Sequence, residues 1–300
     1  MAQAQQDVVA AAADVKTRSR WQDFRRTFLS NRLALFGLIV LSIFILIAIF
    51  APLVAPYDPL AQDLEGKFAG PSLQHPLGQD ELGRDILSRV IYGARISLTA
   101  GLAAVAIATT AGTLIGMLAG YFGGHSDSLL MRLMDVILAF PSILLAIIIV
   151  SVLGPSLVNA MLAIGIVFIP QMARVVRSAV ISVRERDYIE AERALGAGNA
   201  QIIFSGVLPN CTAPLIVQAT LMLATAILDI AALSFLGLGA RAPTPEWGAM
   251  LTDAFKSGFG VFVEGQHALI FPGIAIALAV LSVNFVGDGL RDALDPRRSG

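Results

Sequence analysis

The sequence predicts an all-α integral membrane protein with six transmembrane helices. Of its 300 residues, 56% are hydrophobic and only 14% are charged, whereas a water-soluble domain carries roughly a quarter charged residues. Apolar stretches separate the charges, and they are long enough for the helix of about 20 residues that crosses a bilayer. These observations exclude an ordinary soluble enzyme, and the net charge of −1 gives no electrostatic basis for binding nucleic acid.

Charge-poor stretches place the spans in chain order. They are residues 33–57, 96–126, 136–173, 215–238 and 265–287. The third stretch has 38 uncharged residues, too many for one span, and its Gly-Pro-Ser turn at 154–156 predicts a hairpin of spans three and four. Backbone polar groups in lipid must be hydrogen-bonded within the segment, so the spans are predicted to be helices.

The placement of lysine and arginine predicts the orientation. With the N-terminus inside, fifteen basic residues lie in inside segments and six in outside loops. Because cytoplasmic segments carry the excess of basic residues, both termini are predicted to be cytoplasmic. The predicted divisions are an N-terminal segment at 1–32, a first transmembrane helix at 33–56, an extracytoplasmic loop at 57–95, a five-helix core at 96–290 and a C-terminal tail at 291–300.

Glycine and proline mark special positions within the spans. Gly112, Gly116 and Gly120 share one face of span two, which predicts the close approach of another helix, either within the bundle or across a dimer face. Spans three, four and six each contain a proline: Pro141, Pro170 and Pro272. A proline at such a position can kink its helix and free carbonyl groups, which suits a pathway but is also common in membrane proteins generally.

Neither a catalytic nor a nucleotide-binding constellation is evident in the sequence. The phosphate-cradling pattern G-x4-G-K-[ST] is absent, because Gly66-Lys67 is followed by Phe68. The three histidines and Cys211 lie too far apart in sequence for a recognisable ligand cluster. We therefore predict no catalytic residue, no metal site and no cofactor in this chain, so any ATP would be hydrolysed on another polypeptide.

Residues 184–210, between spans four and five, predict a compact helix-turn-helix that projects into the cytoplasm. Asp187 stands three residues before Glu190 in a start similar to a capping box. Residues 188–195 favour helix, and Gly196 can end that helix in the left-handed conformation.

The second half of this loop is predicted to be a short helix that Asn199 caps and Pro209 closes before span five. Glu190 and Arg193, at i,i+3, can pair on the surface of the first helix. A rigid projection of this kind can fill a groove on a partner and carry the partner's motion to the spans. A solvated loop without a partner is the alternative.

The loop resembles the EAA loop of ATP-binding-cassette importer permeases, whose pattern is EAA-x3-G-x9-I-x-LP. This chain departs from the pattern at Glu192, the third EAA position, and at Gly206, the isoleucine position. The resemblance implies that the loop docks on an ATPase subunit. The residues that it assigns to this coupling are Glu190, Ala191, Glu192, Arg193, Gly196, Leu208 and Pro209.

Four longer segments indicate which group of importer permeases the chain resembles. They are HPLGQDELGRDILSRVIYGARISL (75–98), GYFGGHSDSLLMRLMD (120–135), ILDIAALSFLGLGARAPTPEWGAML (227–251) and FPGIAIALAVLSVNFVGDGLRDALDP (271–296). These segments are similar to the C-type permease subunit of dipeptide, oligopeptide and nickel importers, most of all to the dipeptide permease. The resemblance implies a type I importer permease fold in a bacterial cytoplasmic (inner) membrane.

The resemblance also implies partners. A homologous B-type permease would complete the pathway, two ATPase subunits would bind ATP and Mg, and an extracytoplasmic solute-binding protein would deliver a peptide. The loops at 57–95 and 240–267 are the predicted surfaces for that protein, with solvated charged loops as the alternative. Trp247 is predicted to anchor the outer membrane interface.

Three polar residues interrupt the apolar spans: Gln218, Asp229 and Asn284. An unpaired carboxylate is costly in lipid, so Asp229 is predicted to face the bundle interior, a water-filled path or a pairing group. It could meet the ammonium group of a substrate or gate the passage, or it could make a structural hydrogen bond. Interhelical hydrogen bonding is the default for Gln218 and Asn284.

Other cargoes and another transport class stay open. The same scaffold could carry a nickel chelate, glutathione or another peptide-like solute. A proton-coupled secondary transporter could use Asp229 and Asp135 as proton sites, but it would not require the cytoplasmic projection, and the sequence shows no internal repeat of the kind many such folds have.

Overall fold

A computed structural model describes residues 20–257 and 264–294 of the chain. Parts of the predicted N-terminal segment (1–19), outer loop (258–263) and C-terminal tail (295–300) lie outside the described residues. The helices are α1 Arg20–Ser30, α2 Arg32–Ile49, α3 Ala51–Val54, α4 Ile86–Phe122, α5 Gly124–Leu138, α6 Ser142–Leu153, α7 Leu157–Arg184, α8 Asp187–Ala194, α9 Asn199–Gln201, α10 Thr212–Phe235, α11 Trp247–Lys256 and α12 His267–Leu294.

Within residues 20–257 and 264–294, five helical stretches are long and apolar enough to cross a bilayer. They are Arg32–Ile49, Ile86–Phe122, Leu157–Arg184, Asn199–Phe235 and His267–Leu294. A sixth span results if α5 and α6, which are bent by 87° at a short break, cross the bilayer together. The chain is therefore an all-helical, multi-pass membrane protein, as its sequence predicts.

The third span differs from its prediction. A single helix kinked at Pro141 was expected after a loop, but α5 already fills residues 124–138 and the chain breaks at 139–141. Pro141 has an extended conformation (φ −56°, ψ 129°) and precedes α6. A proline disfavours the α conformation of the residue before it, which ends α5. By contrast, Pro170 and Pro272 lie inside the continuous helices α7 and α12.

The hairpin between spans three and four is confirmed. The helix α6 ends at Gly154, whose φ of +91° lies in the left-handed region, and Ser156 then caps α7. The Ser156 hydroxyl accepts a hydrogen bond from the Asn159 backbone amide at 3.1 Å. This satisfies one of the amides that a helix start leaves unpaired.

The glycine face of span two packs against α7 within the same chain. A Cβ atom added to Gly116 would lie 2.4 Å from the Ala173 carbonyl oxygen, and one added to Gly120 would lie 2.9 Å from that of Arg177. At Gly112, the added atom would lie 2.6 Å from the Met172 Cβ. The two helices therefore touch backbone to backbone, which is the intrachain alternative of the two that the sequence left open.

The loop before α4 is folded and partly buried. The helix α4 begins at Ile86, so residues 86–95 of the predicted extracytoplasmic loop are helical. Asp80, Arg84 and Arg89 are buried, so this part of the loop is not a solvated charged surface. Trp247 is also fully buried, and its indole Nε1 donates to the Val90 carbonyl at 3.1 Å. The prediction of an interfacial tryptophan at this position is wrong.

The buried charges tie this loop to α11. The Arg84 Nε lies 2.7 Å from Asp80 Oδ2, the Arg84 Nη2 contacts Glu81, and Arg84 and Arg89 lie 3.6 and 3.7 Å from Asp253 Oδ2. Burial raises the pKa of Glu81 and the pKa of Asp253. Three carboxylates therefore share two guanidinium groups, and removal of either cation would leave a carboxylate short of its partner.

Removal of one cation from this cluster should destabilise the protein strongly. We expect Arg84→Gln to lower the free energy of unfolding by about 3–5 kcal/mol, because it leaves buried carboxylates without their partner. The midpoint of thermal unfolding in nanodiscs measures the effect. Arg95→Gln is the matched control: Arg95 is exposed on α4, so a change of about 0.5 kcal/mol or less is expected. Equal midpoints for the two variants would contradict the role of the cluster.

Candidate functional site

The segment 184–210 leaves α7 and returns to α10 as a compact projection, called here the 184–210 loop. It contains α8, the turn at Gly196, and a helical path that starts at α9. The path continues as a π-helical turn, Ile202–Val207, and a 3₁₀ turn, Leu208–Cys211, directly into α10. The predicted helix-turn-helix is therefore present.

The turn at Gly196 has the predicted left-handed conformation, with φ of +87°. The Gly196 amide donates to the Arg193 carbonyl at 3.0 Å, and the Ala197 amide donates to the Glu192 carbonyl at 3.1 Å. This pair of hydrogen bonds is the Schellman arrangement, which satisfies carbonyl groups at the end of a helix. A residue with a side chain is disfavoured here by its backbone alone.

Three details of the loop were predicted wrongly. Asp187 is the first residue of α8 and makes no capping hydrogen bond, since the residue at the cap position is Arg186. Asn199 likewise caps nothing; its side-chain oxygen accepts from the Tyr121 hydroxyl at 3.0 Å. Pro209 does not end the helical path. The π turn before it already departs from the regular α-helical hydrogen-bond pattern, so the missing amide hydrogen of the proline breaks no α-helical bond there.

The loop is anchored on one side and exposed on the other. Ile189, Ile202 and Val207 are fully buried in the same core cluster as the end of α7. On the other side, Leu195 is 88% and Phe204 69% exposed. Large apolar side chains exposed on a well-anchored projection are typical of a protein interface.

These two exposed residues were missed by the sequence analysis. Leu195 precedes the turn glycine, and Phe204 lies in the following helical path. Both were available as signals, since a large apolar residue in a short loop with many polar side chains needs either a core or a partner to cover it.

The residues that the resemblance assigns to coupling divide into exposed and half-buried ones. Glu190, Ala191 and Arg193 are exposed, and no salt bridge joins Glu190 to Arg193 within the described part of the chain. Leu208 is half-buried and Pro209 is exposed. The charges of Glu190 and Arg193 therefore point away from the core, whereas Glu192 is half-buried.

Glu192 and Gly206, the two departures from the EAA pattern, lie next to each other. A Cβ atom added to Gly206 would lie 3.0 Å from Glu192 Oε2 and 2.7 Å from Ile189 Cδ1. The Glu192 Oε2 atom is buried without a hydrogen-bond partner among the described residues. The Glu192 side chain thus occupies space that the absence of a side chain at Gly206 leaves free.

A double substitution tests this compensation. We expect Gly206→Ile alone to lower the free energy of unfolding by about 1–3 kcal/mol, because the isoleucine overpacks against Glu192 and Ile189. The double variant Glu192→Ala with Gly206→Ile, which restores the family pattern at both sites, should recover most of that loss. Thermal unfolding midpoints of the four chains measure the coupling. Additive effects would contradict the compensation.

The loop is also joined to span two. The Arg184 Nη1 donates to the Gly120 and Tyr121 carbonyl oxygens at 2.9 and 3.2 Å, at the end of α4. Together with the Tyr121–Asn199 hydrogen bond, these contacts connect the loop to α4 as well as to α7 and α10. The loop is therefore in contact with three spans.

The polar residues of the spans do not form one cluster by direct contact. Asp229 and Gln218 lie on α10, about 16 Å apart along its axis, and Asn284 lies on α12. Each is half-buried, and none has a side-chain hydrogen bond to another described residue. Leu228, next to Asp229, is 50% exposed. This part of α10 therefore carries a half-buried carboxylate without a side-chain hydrogen bond among the described residues.

The fold and the loop define a class, that of multi-pass helical membrane proteins with a compact projecting loop. The chain matches the family described as "Binding-protein-dependent transport system inner membrane component" over residues 112–300. It also matches the "N-terminal TM domain of oligopeptide transport permease C" over residues 19–76. The chain belongs to this family of transport permeases.

Curated relatives span nearly the whole chain. The dipeptide transport system permease protein DppC of Alkalihalophilus pseudofirmus is 51% identical over 93% of this chain and 90% of its own length. The di/tripeptide transport system permease protein DppC of Pseudomonas aeruginosa is 49% identical over 92% of each chain. The glutathione transport system permease protein GsiD of Escherichia coli O157:H7 is 46% identical over 95% of this chain and 93% of its own length. The family and these relatives are permease subunits rather than enzymes.

Proposed function

We propose that this chain is a transmembrane subunit of an ATP-driven importer for dipeptides or short oligopeptides. It would form half of the translocation pathway beside a homologous B-type permease. The dipeptide and di/tripeptide names of two similar relatives support this substrate class. In this proposal both termini and the 184–210 loop lie in the cytoplasm of a bacterium, and the spans lie in its inner membrane.

The observation that carries the proposal is the exposed side of the 184–210 loop. Its apolar side chains Leu195 and Phe204 have no core to cover them, while its buried side connects to α4, α7 and α10. A surface of this kind fits a groove on an ATPase subunit. Closure of two such ATPases on ATP would then move the loop and, through it, the spans.

ATP and Mg would be bound by the two partner ATPase subunits. This chain lacks the G-x4-G-K-[ST] pattern for cradling phosphate, so it supplies the moving parts and not the nucleotide site. The residues of the loop assigned to coupling would transmit the closure, with Glu190 and Arg193 presenting charge and Gly196 fixing the angle between the two helical parts.

The face of α10 that carries Asp229 would line the pathway or meet the B-type permease. A half-buried carboxylate without a hydrogen-bond partner among the described residues is costly in lipid, so this face is expected to be covered by water or by protein. Gln218 and Asn284 are proposed to line the same region. Asp229 would then hold the ammonium group of an incoming peptide.

The solute-binding protein would dock on the opposite side of the membrane. Its proposed surface comprises the exposed part of residues 57–79 together with residues 240–244, because the charges nearer α4 are buried. An open cavity of about 690 Å³ lies at this surface. Several of its lining residues are prolines and tyrosines, among them Pro56, Tyr57, Tyr92, Pro243 and Pro245.

Reconstitution tests the proposal. Proteoliposomes would contain this chain with its B-type permease and ATPase subunits, and the solute-binding protein would be added on the side opposite the 184–210 loop. Labelled dipeptide should accumulate only when ATP is present, vanadate should stop it, and a proton uncoupler should not. Uptake by this chain without an ATPase, or uptake that collapses with the uncoupler, would overturn the proposal in favour of a proton-coupled carrier.

Glutathione is the second candidate substrate, because permeases of glutathione transport systems are similar over almost the whole chain. Competition in the same vesicles separates the two. An excess of unlabelled dipeptide should suppress labelled dipeptide uptake, whereas an equal excess of glutathione should leave it unchanged. Stronger suppression by glutathione than by dipeptide would identify glutathione as the substrate.

A further inference from the structure

The helix α5 is a rigid segment between two joints. At its start, Gly123 and Gly124 both have left-handed φ angles, +67° and +55°. At its end, the break at 139–141 turns the chain by 87° into α6. A helix of 15 residues with a joint at each end can change its angle as one body.

Much of the apolar surface of α5 is exposed in this chain. Met134 is buried, whereas Leu129, Leu133 and Val136 are more than half exposed. The other apolar side chains are half-buried, namely Leu130, Met131, Ile137 and Leu138. Polar contacts to α7 add to this partial packing, and the structure shows two of them.

Two salt bridges join α5 to α7. Arg177 binds Asp127 with both arms of its guanidinium group: Nε lies 2.5 Å from Oδ1 and Nη2 lies 2.6 Å from Oδ2. About two turns further along α5, Asp135 accepts from Arg174 Nη2 at 2.6 Å. Bidentate arginine–carboxylate pairs fix orientation as well as distance, so the Arg177–Asp127 bridge orients α5 on α7. The single contact of Arg174 with Asp135 adds a second point of attachment.

The two pairs differ in burial: the side chains of Arg174 and Asp135 are more than half exposed, whereas those of Arg177 and Asp127 are 36% and 20% exposed. Arg174 and Arg177 lie about 26 and 30 Å along α7 from Leu157, which places them near the far edge of a hydrocarbon core about 30 Å thick. Charges at such a boundary are costly when unpaired and pair with one another.

The same helix leads directly into the 184–210 loop. A third arginine, Arg184, ends α7 and holds the end of α4, and α8 starts at Asp187. The three arginines thus connect the base of the loop to α4 and to α5, and α5 connects to the broken span through the joint before Pro141.

We propose that Asp127, Asp135, Arg174 and Arg177 are positioning residues that carry a displacement of the 184–210 loop to the broken third span. When α7 moves with the loop, the two bridges make α5 move with it, and the joints convert that motion into a change of angle at residues 139–141. This inference rests on the proposed function, since it assigns the route of coupling and not the source of energy.

Charge reversal in the reconstituted complex tests the bridges. We expect Arg177→Glu to lower the ratio of dipeptide taken up to ATP hydrolysed by about fivefold or more, the scale of a typical coupling free energy. Asp127→Arg should do the same. The combination Asp127→Arg with Arg177→Glu restores a pair of opposite charges and should return the ratio to within about twofold of the unaltered complex.

Arg132→Glu is the matched control, since Arg132 is exposed on α5 and has no salt bridge in the described ranges. It should leave the ratio unchanged. Single reversals that assemble and keep the full ratio, or a double reversal as uncoupled as either single, would overturn the inference. Should Arg177→Glu fail to assemble, Arg177→Lys keeps the charge but loses the two-armed contact, and an unchanged ratio for it would also overturn the inference.

The two proposals fail in different places. If the proposed function is wrong, the unaltered complex itself shows no ATP-driven uptake. If only this inference is wrong, the unaltered complex transports and the variants keep its ratio.

Discussion

Replacement of Gly196 by valine should stop most peptide uptake while ATP hydrolysis continues. Gly196 has φ of +87°, and a β-branched residue in the left-handed region costs roughly 1–2 kcal/mol or more. No atom lies within 4 Å of the position that its Cβ would take, so the cost is in the backbone and not in a collision. The strained turn would change the angle between α8 and the following helical path, and with it the fit of Leu195 and Phe204 to the ATPase.

The expected result is a loss of uptake by about tenfold or more, which corresponds to about 1.4 kcal/mol of coupling. Gly198→Val is a closely matched control. Gly198 lies in the same turn with equally open surroundings, but its φ of −71° suits any residue, so uptake should stay within about twofold. Uptake and hydrolysis are measured in the same vesicles. Equal uptake by the two variants would contradict the role of the turn.

The sequence predicted those parts of the fold that depend on local chemistry. Charge-poor stretches located the spans, the Gly-Pro-Ser turn located the hairpin, and the glycine spacing of span two located a close helix contact. Gly196 belongs to the same group, because the need for a left-handed residue at the end of a helix is a property of the backbone alone.

The remaining features depend on partners that are distant in the chain. Nothing local indicates that Arg84 meets Asp253, or that Arg177 meets Asp127, since the contact exists only after the helices have packed. Pro209 was predicted to end a helix from its missing amide donor, but a π turn before it absorbs that defect and the path continues. At Pro141 the sequence predicted a kink, whereas the structure has a break with a bend of 87°. The proline alone indicates only that the helix is disturbed, and the packing of α5 decides the size of the bend.

The partner of Asp229 could not be predicted for another reason, since the described residues of this chain do not supply one. The sequence predicted a partner for this carboxylate, and no side-chain hydrogen bond reaches it from the described residues. A half-buried acid beside an exposed leucine on a membrane helix is unfavourable against lipid. The missing partner is therefore expected from the substrate, from water in the pathway or from the B-type permease.

Asp229→Asn distinguishes the substrate from the structural alternatives. The substitution keeps the shape and removes the charge, and a hydrogen bond to a charged group is worth about 1.5–3 kcal/mol. If Asp229 holds the ammonium group of the peptide in the pathway, uptake of dipeptides with a free N-terminus should fall by about tenfold or more, while assembly with the other subunits is unchanged. Initial uptake rates at several peptide concentrations measure the loss.

Two comparisons separate the alternatives. Thr225→Val changes a side chain one turn away on the same exposed face, whose hydroxyl bonds only to the Leu221 carbonyl of its own helix, so it should have little effect. If Asp229 instead bonds to the B-type permease, Asp229→Asn should lower the yield of assembled complex and leave the rate per assembled complex unchanged. Unchanged uptake together with normal assembly would remove Asp229 from the mechanism, because a carboxylate that contacts either the substrate or the partner cannot lose its charge without changing one of these two quantities.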